Sequence, residues 1–253
     1  MKRNTIAAQL YTLRDHLKTP EQIASSLQRV RAIGYEAVQV SGLGPIDPVE
    51  LKALTDDSGL QICATHVSYD SLKNHLPDVI RTHQLWACEY VGLGMLPEVY
   101  RNSKEGYEAF VREFSEIGRH LADHNLHLVY HNHDLEFVRF DGVTGLDLLL
   151  QGASPQTYSL ELDTYWVQAG GASPIEWIEK AAGQLKVIHL KDMAVDGRTA
   201  VMAEIGEGNF NWPAIIEACR NSGVQWYAVE QDVCKRDPFE SLAISFSYLS
   251  NLC

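Results

Sequence analysis

Basic residues are scarce in this chain. Lys and Arg together number 21 against 33 Asp and Glu, a net charge of −12 over 253 residues. A surface of that sign repels phosphate backbones and anionic headgroups, so neither nucleic acid nor a membrane surface is an expected partner. No stretch approaches the ~18 apolar residues of a membrane span. The opening MKRNTIAAQLYTLRDH starts basic, but its apolar run is broken by Gln9 and Arg14, unlike a secretory leader. The five cysteines contain no C-x-x-C pair; Cys63 and Cys88 fall in apolar, strand-like runs and read as buried thiols, and Cys253 is the last residue. That usage fits a reducing, cytoplasmic setting. Familiar fingerprints are missing too: there is no phosphate loop, no G-x-S-x-G elbow and no H-E-x-x-H. Gly206-Glu207-Gly208-Asn209 lacks the third glycine of a dinucleotide motif and reads as loop shaping.

What is present is a hydrophobic content of 45%, enough for one well-buried core, and a regular alternation of two patterns. Short apolar, β-branched runs read as strands over Ile6–Leu10, Ala37–Val40, Leu60–Thr65, Tyr90–Leu93, Leu126–Tyr130, Tyr158–Leu162, Leu185–Leu190 and Trp226–Val229. Helical patterns lie between them, among them Pro20–Ile33, Lys104–His124, Pro174–Ala182, Pro213–Asn221 and Pro238–Leu249. Proline recurs at helix starts, where its fixed φ helps and its missing N–H costs little, and Gly34, Gly59 and Gly223 stand where helices should stop. Eight strand–helix units without a linker or composition shift predict an α/β fold: a single (β/α)8 TIM barrel over residues 1–253. The longest stretch without periodicity, Asp192–Asn209, follows the seventh strand and belongs on the catalytic face.

In such a barrel the active-site groups project from the C-terminal ends of the strands. The first strand here runs out into Gln9-Leu10-Tyr11 and the third into Thr65-His66. The fifth ends in Tyr130-His131-Asn132-His133-Asp134-Leu135-Glu136, the sixth in Glu161-Leu162-Asp163, the seventh in His189-Leu190-Lys191-Asp192, and the eighth in Glu230-Gln231-Asp232. Each item alone has an ordinary reading. Asp163 can cap the next helix, Lys191 and Asp192 can be a solvated pair, and Tyr165 and Trp166 can pack a loop. His75, His83, His120 and His124 read as surface or boundary residues. The joint pattern is harder to explain without chemistry, because several carboxylates crowded at one mouth cannot all stay ionised without a cation. One divalent metal ion is therefore expected, with a mixed N/O ligand set that suits Mn²⁺, with Mg²⁺, Co²⁺ or Zn²⁺ as alternatives, better than a thiolate-bound structural zinc.

Five segments carry a resemblance: Ala8-Gln9-Leu10-Tyr11-Thr12-Leu13-Arg14-Asp15, Tyr130-His131-Asn132-His133-Asp134-Leu135-Glu136-Phe137, Leu162-Asp163-Thr164-Tyr165-Trp166, His189-Leu190-Lys191-Asp192 and Val229-Glu230-Gln231-Asp232. In order and spacing the chain resembles the sugar phosphate isomerase/epimerase group of the xylose isomerase-like barrel superfamily. That superfamily also holds ketose 3-epimerases, inosose dehydratases and an abasic-site endonuclease branch. The epimerases bind one metal through Glu, Asp, His and Glu at successive strand ends. Carried over, the last three fall on Asp163, His189 and Glu230. The first falls on Glu136, just beyond the strand, with His131, which occupies the strand end itself, as the alternative.

The resemblance implies removal of a proton beside a carbonyl through a metal-stabilised enediolate, with Glu136 and Glu230 exchanging the proton. Returning it to the other face is epimerisation or isomerisation; expelling a β-hydroxyl or β-alkoxy group instead makes the same site a lyase. Gln9, Tyr11, His66, His131, His133, Trp166 and Lys191 are expected to bind the substrate. The scarcity of Lys and Arg at the strand ends points to a neutral keto-sugar, keto-glycoside or cyclitol ketone. A non-catalytic sugar-binding barrel is the alternative of another class; a nuclease fits poorly with the −12 charge. Exposed Trp166 and Trp212 on the mouth loops are expected to contribute to a homodimer face.

Overall fold

Eight short apolar runs become the strands β1 (Ile6–Gln9), β2 (Ala37–Val40), β3 (Gln61–Val67), β4 (Tyr90–Leu93), β5 (His127–His131), β6 (Tyr158–Asp163), β7 (Leu185–Leu190) and β8 (Trp226–Val229). The computed structural model describes residues 1–253. Every neighbouring pair of these strands is parallel, and β1 pairs with both β2 and β8, so the sheet closes into a barrel with the strands in sequence order. This is the expected TIM barrel. Closure leaves no sheet edge to be satisfied.

Helix starts follow the local chemistry anticipated. Thr19, Asp47, Ser173 and Asp237 each accept a backbone N–H of the helix that begins with the proline after them. The boundaries move by a residue or two. Leu10 leaves the first strand to open a 3-10 turn (Leu10–His16), His131 and Asp163 join their strands, and the long helix stops at Ala122. The stretch after β7 is not irregular: Asp192–Asp196 and Thr199–Ala203 pair as an antiparallel hairpin.

Two expectations are overturned. Trp212 is buried, with its indole Nε1 donating to Asp192 at 2.6 Å, and is unavailable to a dimer face. His83 is buried rather than peripheral. Its Nδ1 lies 2.7 Å from the Val79 carbonyl, which can only accept, so Nδ1 carries the proton and Nε2 accepts from the Thr65 hydroxyl at 2.8 Å.

The barrel interior is layered. Ala7, Ala37, Ala64, Tyr90, Val129 and Val187 form a dry lower layer. Because side chains on one face recur every second residue, the next layer towards the strand ends is Gln9, Gln39, His66, Gly92, His131, Glu161 and His189. An apolar floor thus carries a polar storey. Outside, the helix Lys104–Ala122 lies so close to the chain entering β6 that a Cβ at Gly118 would sit 1.7 Å from the Thr157 carbonyl oxygen. Alanine normally favours a helix over glycine by about 1 kcal/mol. Here Gly118→Ala is expected to reverse that sign and lower stability by roughly 1–3 kcal/mol through overpacking, read as a fall in Tm by calorimetry.

Candidate active site and metal centre

The segment after β5 divides its tasks residue by residue. His131, the last strand residue, points into the barrel. Asn132 is buried, and its Oδ1 accepts the Asp163 backbone N–H at 3.0 Å, tying the end of β5 to that of β6. His133 emerges above, its ring centroid 5.2 Å from that of Trp166. The chain then turns through Leu135–Phe137 and folds Glu136 back. The Glu136 carboxylate accepts the Tyr130 hydroxyl at 2.5 Å and the His133 backbone N–H at 2.8 Å.

The two oxygens of Asp163 face different ways. One oxygen, Oδ1, caps the helix Thr164–Ala169 by accepting Trp166 N–H at 3.0 Å. The other, Oδ2, faces inward, 3.0 Å from Lys191 Nζ and 3.8 Å from His189 Nδ1. Lys191 is fully buried, and its ammonium also meets Glu230 at 2.7 Å and Asp232 at 2.8 Å. Thr164 pins the same strand end by accepting Lys191 N–H and donating to its carbonyl. Asp192, the next residue, points away from the barrel. Its carboxylate accepts N–H groups from Met193, Gly206, Gly208, Phe210 and Trp212 and so shapes the loop after the hairpin.

Below this tier lies a carboxylate that the sequence pattern passed over. Glu161 is fully buried; one oxygen is 2.6 Å from His66 Nε2 and the other accepts Gln39 Nε2 at 2.8 Å. Gln39 in turn presents its Oε1 to His189 Nε2 at 2.8 Å, while His189 Nδ1 lies 3.0 Å from Glu230. The His66 ring fits because Gly92 on β4 and Gly94 just beyond its end carry no side chain: a Cβ on Gly94 would lie 2.8 Å from His66 Nδ1.

These contacts set the charges. Burial alone would raise the Glu161 carboxyl, but His189 and His66 outweigh it and hold it at about 2. Burial would likewise strip the proton from His189, yet Glu161 and Glu230 raise it to about 10. Lys191 is desolvated but held firmly protonated by Asp163, Glu230 and Asp232, and with His189 it keeps Glu230 ionised despite burial. His133, with no carboxylate of its own, is pulled down to about 4 by burial and stays neutral.

A pocket of about 790 Å³ opens over this centre. Tyr11, His66, His131, His133 and Trp166, the residues expected to bind substrate, line it together with Glu230 and Asp232. Gln9 and Lys191 are fully buried beneath and do not line it. Arg14, Arg101 and an apolar wall, Leu93-Gly94-Met95-Leu96-Pro97, also line it without having been anticipated as substrate contacts. Glu136 is absent from the pocket and from both groups of donors that converge. One group is His131, Asp163, His189 and Glu230, the other His66, His131, Glu161 and His189; within each, the donor atoms lie within 4.8 Å of one another. Glu136 stands outside both groups, its two oxygens taken up by the Tyr130 hydroxyl and the His133 N–H. His131, the alternative, belongs to both groups.

The model of the xylose isomerase-like TIM barrel family matches residues 27–243. The chain belongs to that family. An inosose dehydratase of Geobacillus kaustophilus is 24% identical over 280 residues, covering 95% of this chain and 89% of that protein. A crystal structure of a sugar phosphate isomerase/epimerase from Parabacteroides distasonis superposes with a TM-score of 0.84 at 23% identity, covering 99% of this chain and 94% of that one. An L-ribulose 3-epimerase follows the same fold at TM-score 0.73 and 14% identity, covering 98% and 93%.

For a xylose isomerase-like barrel, the upper donor group fits a divalent cation on its own chemistry. His131 Nδ1 is buried with no hydrogen-bond partner, and Asp163 Oδ2 is buried with no aligned donor, only the Lys191 and His189 charges beside it; both are atoms that a cation could satisfy. His189 commits Nε2 to Gln39 and turns Nδ1 towards Asp163 and Glu230.

Glu136 provides a test independent of that centre. Burial raises its carboxyl to about 7 against the help of Tyr130 and His133. A carboxyl raised on folding stabilises the fold fully below its unfolded value of 4.5, and that contribution is lost as pH rises through about 7. At ~1.4 kcal/mol per pKa unit, the loss is roughly 3 kcal/mol. Glu136→Gln is expected to remove this pH dependence in denaturant titrations at pH 4.5 and 8, and to leave metal content unchanged.

Proposed function

We propose that this barrel is a divalent-metal-dependent enzyme that removes a proton beside the carbonyl of a keto-sugar, keto-glycoside or cyclitol ketone and expels a β-hydroxyl, a lyase of the dehydratase kind. The observation that carries the choice is the withdrawal of Glu136. Two-carboxylate proton exchange needs an acid on each face of the carbon, and of the two glutamates nominated for it only Glu230 lines the pocket. Elimination needs one base and one proton donor, and the donor can be an imidazole. The inosose dehydratase relative, matched over nearly its full length, supports the same direction.

His131, Asp163, His189 and Glu230 would hold the metal. Two nitrogens and two oxygens suit Mn²⁺, Co²⁺ or Zn²⁺ better than Mg²⁺, which prefers oxygen alone. Bound there, a divalent cation supplies Lewis-acid polarisation of the substrate carbonyl. Glu230, kept ionised by Lys191 and His189, takes the proton from the adjacent carbon. The C–O bond to the β-hydroxyl breaks, and His66, backed by Glu161 at 2.6 Å, gives that oxygen a proton so that it leaves as water. Carbon loses one proton and one hydroxide; no oxidant is needed. Tyr11, His133 and Trp166 orient the ring, and the apolar wall Leu93–Pro97 keeps one side of it dry.

Epimerisation is the second reading. His133 lies in the pocket, neutral, with a buried Nδ1 that has no partner, and a neutral imidazole above the ring can return a proton to the opposite face. Incubating the metal-loaded enzyme with inososes and 3-keto-glucosides in D₂O separates the two. Dehydration gives an unsaturated ketone absorbing in the ultraviolet; epimerisation gives a deuterated saturated epimer. Glu230→Gln is expected to lower either rate by at least 10³-fold, whereas His66→Gln should abolish dehydration and spare α-deuteration. Deuteration and dehydration both surviving His66→Gln would remove His66 from the mechanism.

Metal content is the earlier question. Elemental analysis of protein purified without chelator should find about one equivalent, lost in His131→Ala, Asp163→Ala and His189→Ala. Because His189 is protonated up to about pH 10 in the metal-free site, ligation must expel a proton. Affinity should fall about tenfold for each pH unit lowered between 9 and 6, with one proton released per metal in calorimetry across buffers. Wild type that takes up no Mn²⁺ or Zn²⁺ would instead favour a sugar-binding barrel without catalysis.

A further inference from the structure

Gln39 lies on β2, a strand that supplies no residue to either convergent donor group and contributes nothing that the sequence marks as chemical. It is nonetheless fully buried and stands between two groups that matter. Its amide Nε2 is 2.8 Å from Glu161 Oε1, and its Oε1 is 2.8 Å from His189 Nε2. A carboxylate can only accept, so the NH₂ end of the amide must face Glu161. That leaves the carbonyl end facing His189. A carbonyl oxygen can also only accept, so the nitrogen opposite it, Nε2, must carry a hydrogen. The Glu161 oxygen 3.4 Å from the same nitrogen makes the same demand.

We propose that Gln39 is a positioning residue that fixes the tautomer of His189. The chain of demands runs one way, from Glu161 through the Gln39 amide to His189 Nε2–H, and leaves Nδ1 as the nitrogen that gives up its hydrogen when a cation enters. Nδ1 is the nitrogen turned towards Glu230 at 3.0 Å and Asp163 at 3.8 Å. Gln39 therefore determines which imidazole nitrogen a cation in that cradle meets, without touching the cation itself. Glu161 is the anchor: were it an amide, nothing would stop the Gln39 side chain from turning over, offering its NH₂ to Nε2 and moving the hydrogen to Nδ1. His66 closes the other side of Glu161 at 2.6 Å and keeps that carboxylate oriented. The inference rests on His189 being a metal ligand, as proposed above.

The test compares wild type, Gln39→Met, which keeps the length and removes the amide, and Glu161→Gln, which keeps the volume and removes the direction. Each is titrated with Mn²⁺ and with Zn²⁺ by calorimetry after chelator treatment, and thermal unfolding of the metal-free forms reports the fold. The zinc-loaded forms, labelled with ¹⁵N-histidine, are read by long-range ¹H–¹⁵N correlation, in which a metal-bound Nδ1 with a protonated Nε2 has its own shift pattern. Wild type should show that pattern for His189. Both variants should bind metal 10–100-fold more weakly, the range typical of groups that orient a ligating histidine. Glu161→Gln should in addition show a second His189 tautomer. Wild-type affinity together with an unchanged Nε2–H pattern in both variants overturns the role of Gln39 while leaving the metal site standing. A wild type that binds no metal overturns the metal site, and this role with it. If Gln39→Met does not fold, Gln39→Asn, one carbon short of reaching both partners, carries the same comparison, and wild-type affinity in it counts against the proposal.

Discussion

Everything at the mouth of this barrel is arranged around the cost of keeping charge out of water. Asp163, Glu230 and Asp232 converge on one ammonium, that of Lys191, which is itself fully buried. Desolvating such an ion costs several kcal/mol, and the attraction between partners recovers it only with close geometry. Burial raises the Asp163 carboxyl despite Lys191 and His189 beside it, and Glu161 and Glu230 raise the His189 imidazole, so the acids still outnumber the cations that face them. The structure meets the cost with restraint. Asn132 holds Asp163, Thr164 holds Lys191, and Gln39 holds His189, each by hydrogen bonds that leave the facing atoms little freedom. A cavity floor with more acids than cations around it could hold a divalent ion.

Much of this was legible in the sequence, because a barrel converts strand position into location. Once β5 to β8 were recognised, residues at their ends had to meet, and His131, Asp163, His189 and Glu230 do. The same rule, followed two residues back from Asp163, points to Glu161 on the same face. That step needs only the alternation of a strand. Gln39 is a different case. In Ala37-Val38-Gln39-Val40 a single polar residue reads as one facing solvent, and only closure of the barrel shows that this face is the interior. Trp212 misled for a related reason: a tryptophan after a loop reads as exposed until its indole partner, Asp192, is seen to be buried with it.

Glu136 shows where sequence stops. It lies five residues beyond the end of β5, and the intervening turn decides whether it faces the cavity or the outer wall. Its neighbours settle that. Tyr130, whose side chain points away from the barrel axis, and the His133 N–H offer it two donors on the outer side, and a carboxylate with two short hydrogen bonds in a dry place has no reason to leave. The loss is also informative. With Glu136 held in the turn, the acid and base groups that line the pocket are Glu230, Asp232 and the imidazoles.

That division follows from the alternation of the chain itself. At each of the strand ends β5 to β8, inward residues face the charged centre, while the residue between them, or just beyond, supports the wall. His131 and His133 alternate with Asn132, and Lys191 is followed by Asp192, whose carboxylate gathers five N–H groups to hold the loop against the pocket. A Cβ on Gly208 would reach within 2.2 Å of Asp192 Oδ1, so the loop can close on that carboxylate only where the chain has no side chain. Asp192 is thus a buried acid like Asp163, yet it answers to backbone amides and an indole N–H rather than to a cation. The difference between a structural and a reactive acid in this barrel is not burial or charge but whether the protein itself has already satisfied every oxygen. By that measure Asp192 and Glu136 are closed, while Asp163 retains a buried oxygen with no aligned hydrogen-bond donor, held by the Lys191 and His189 charges.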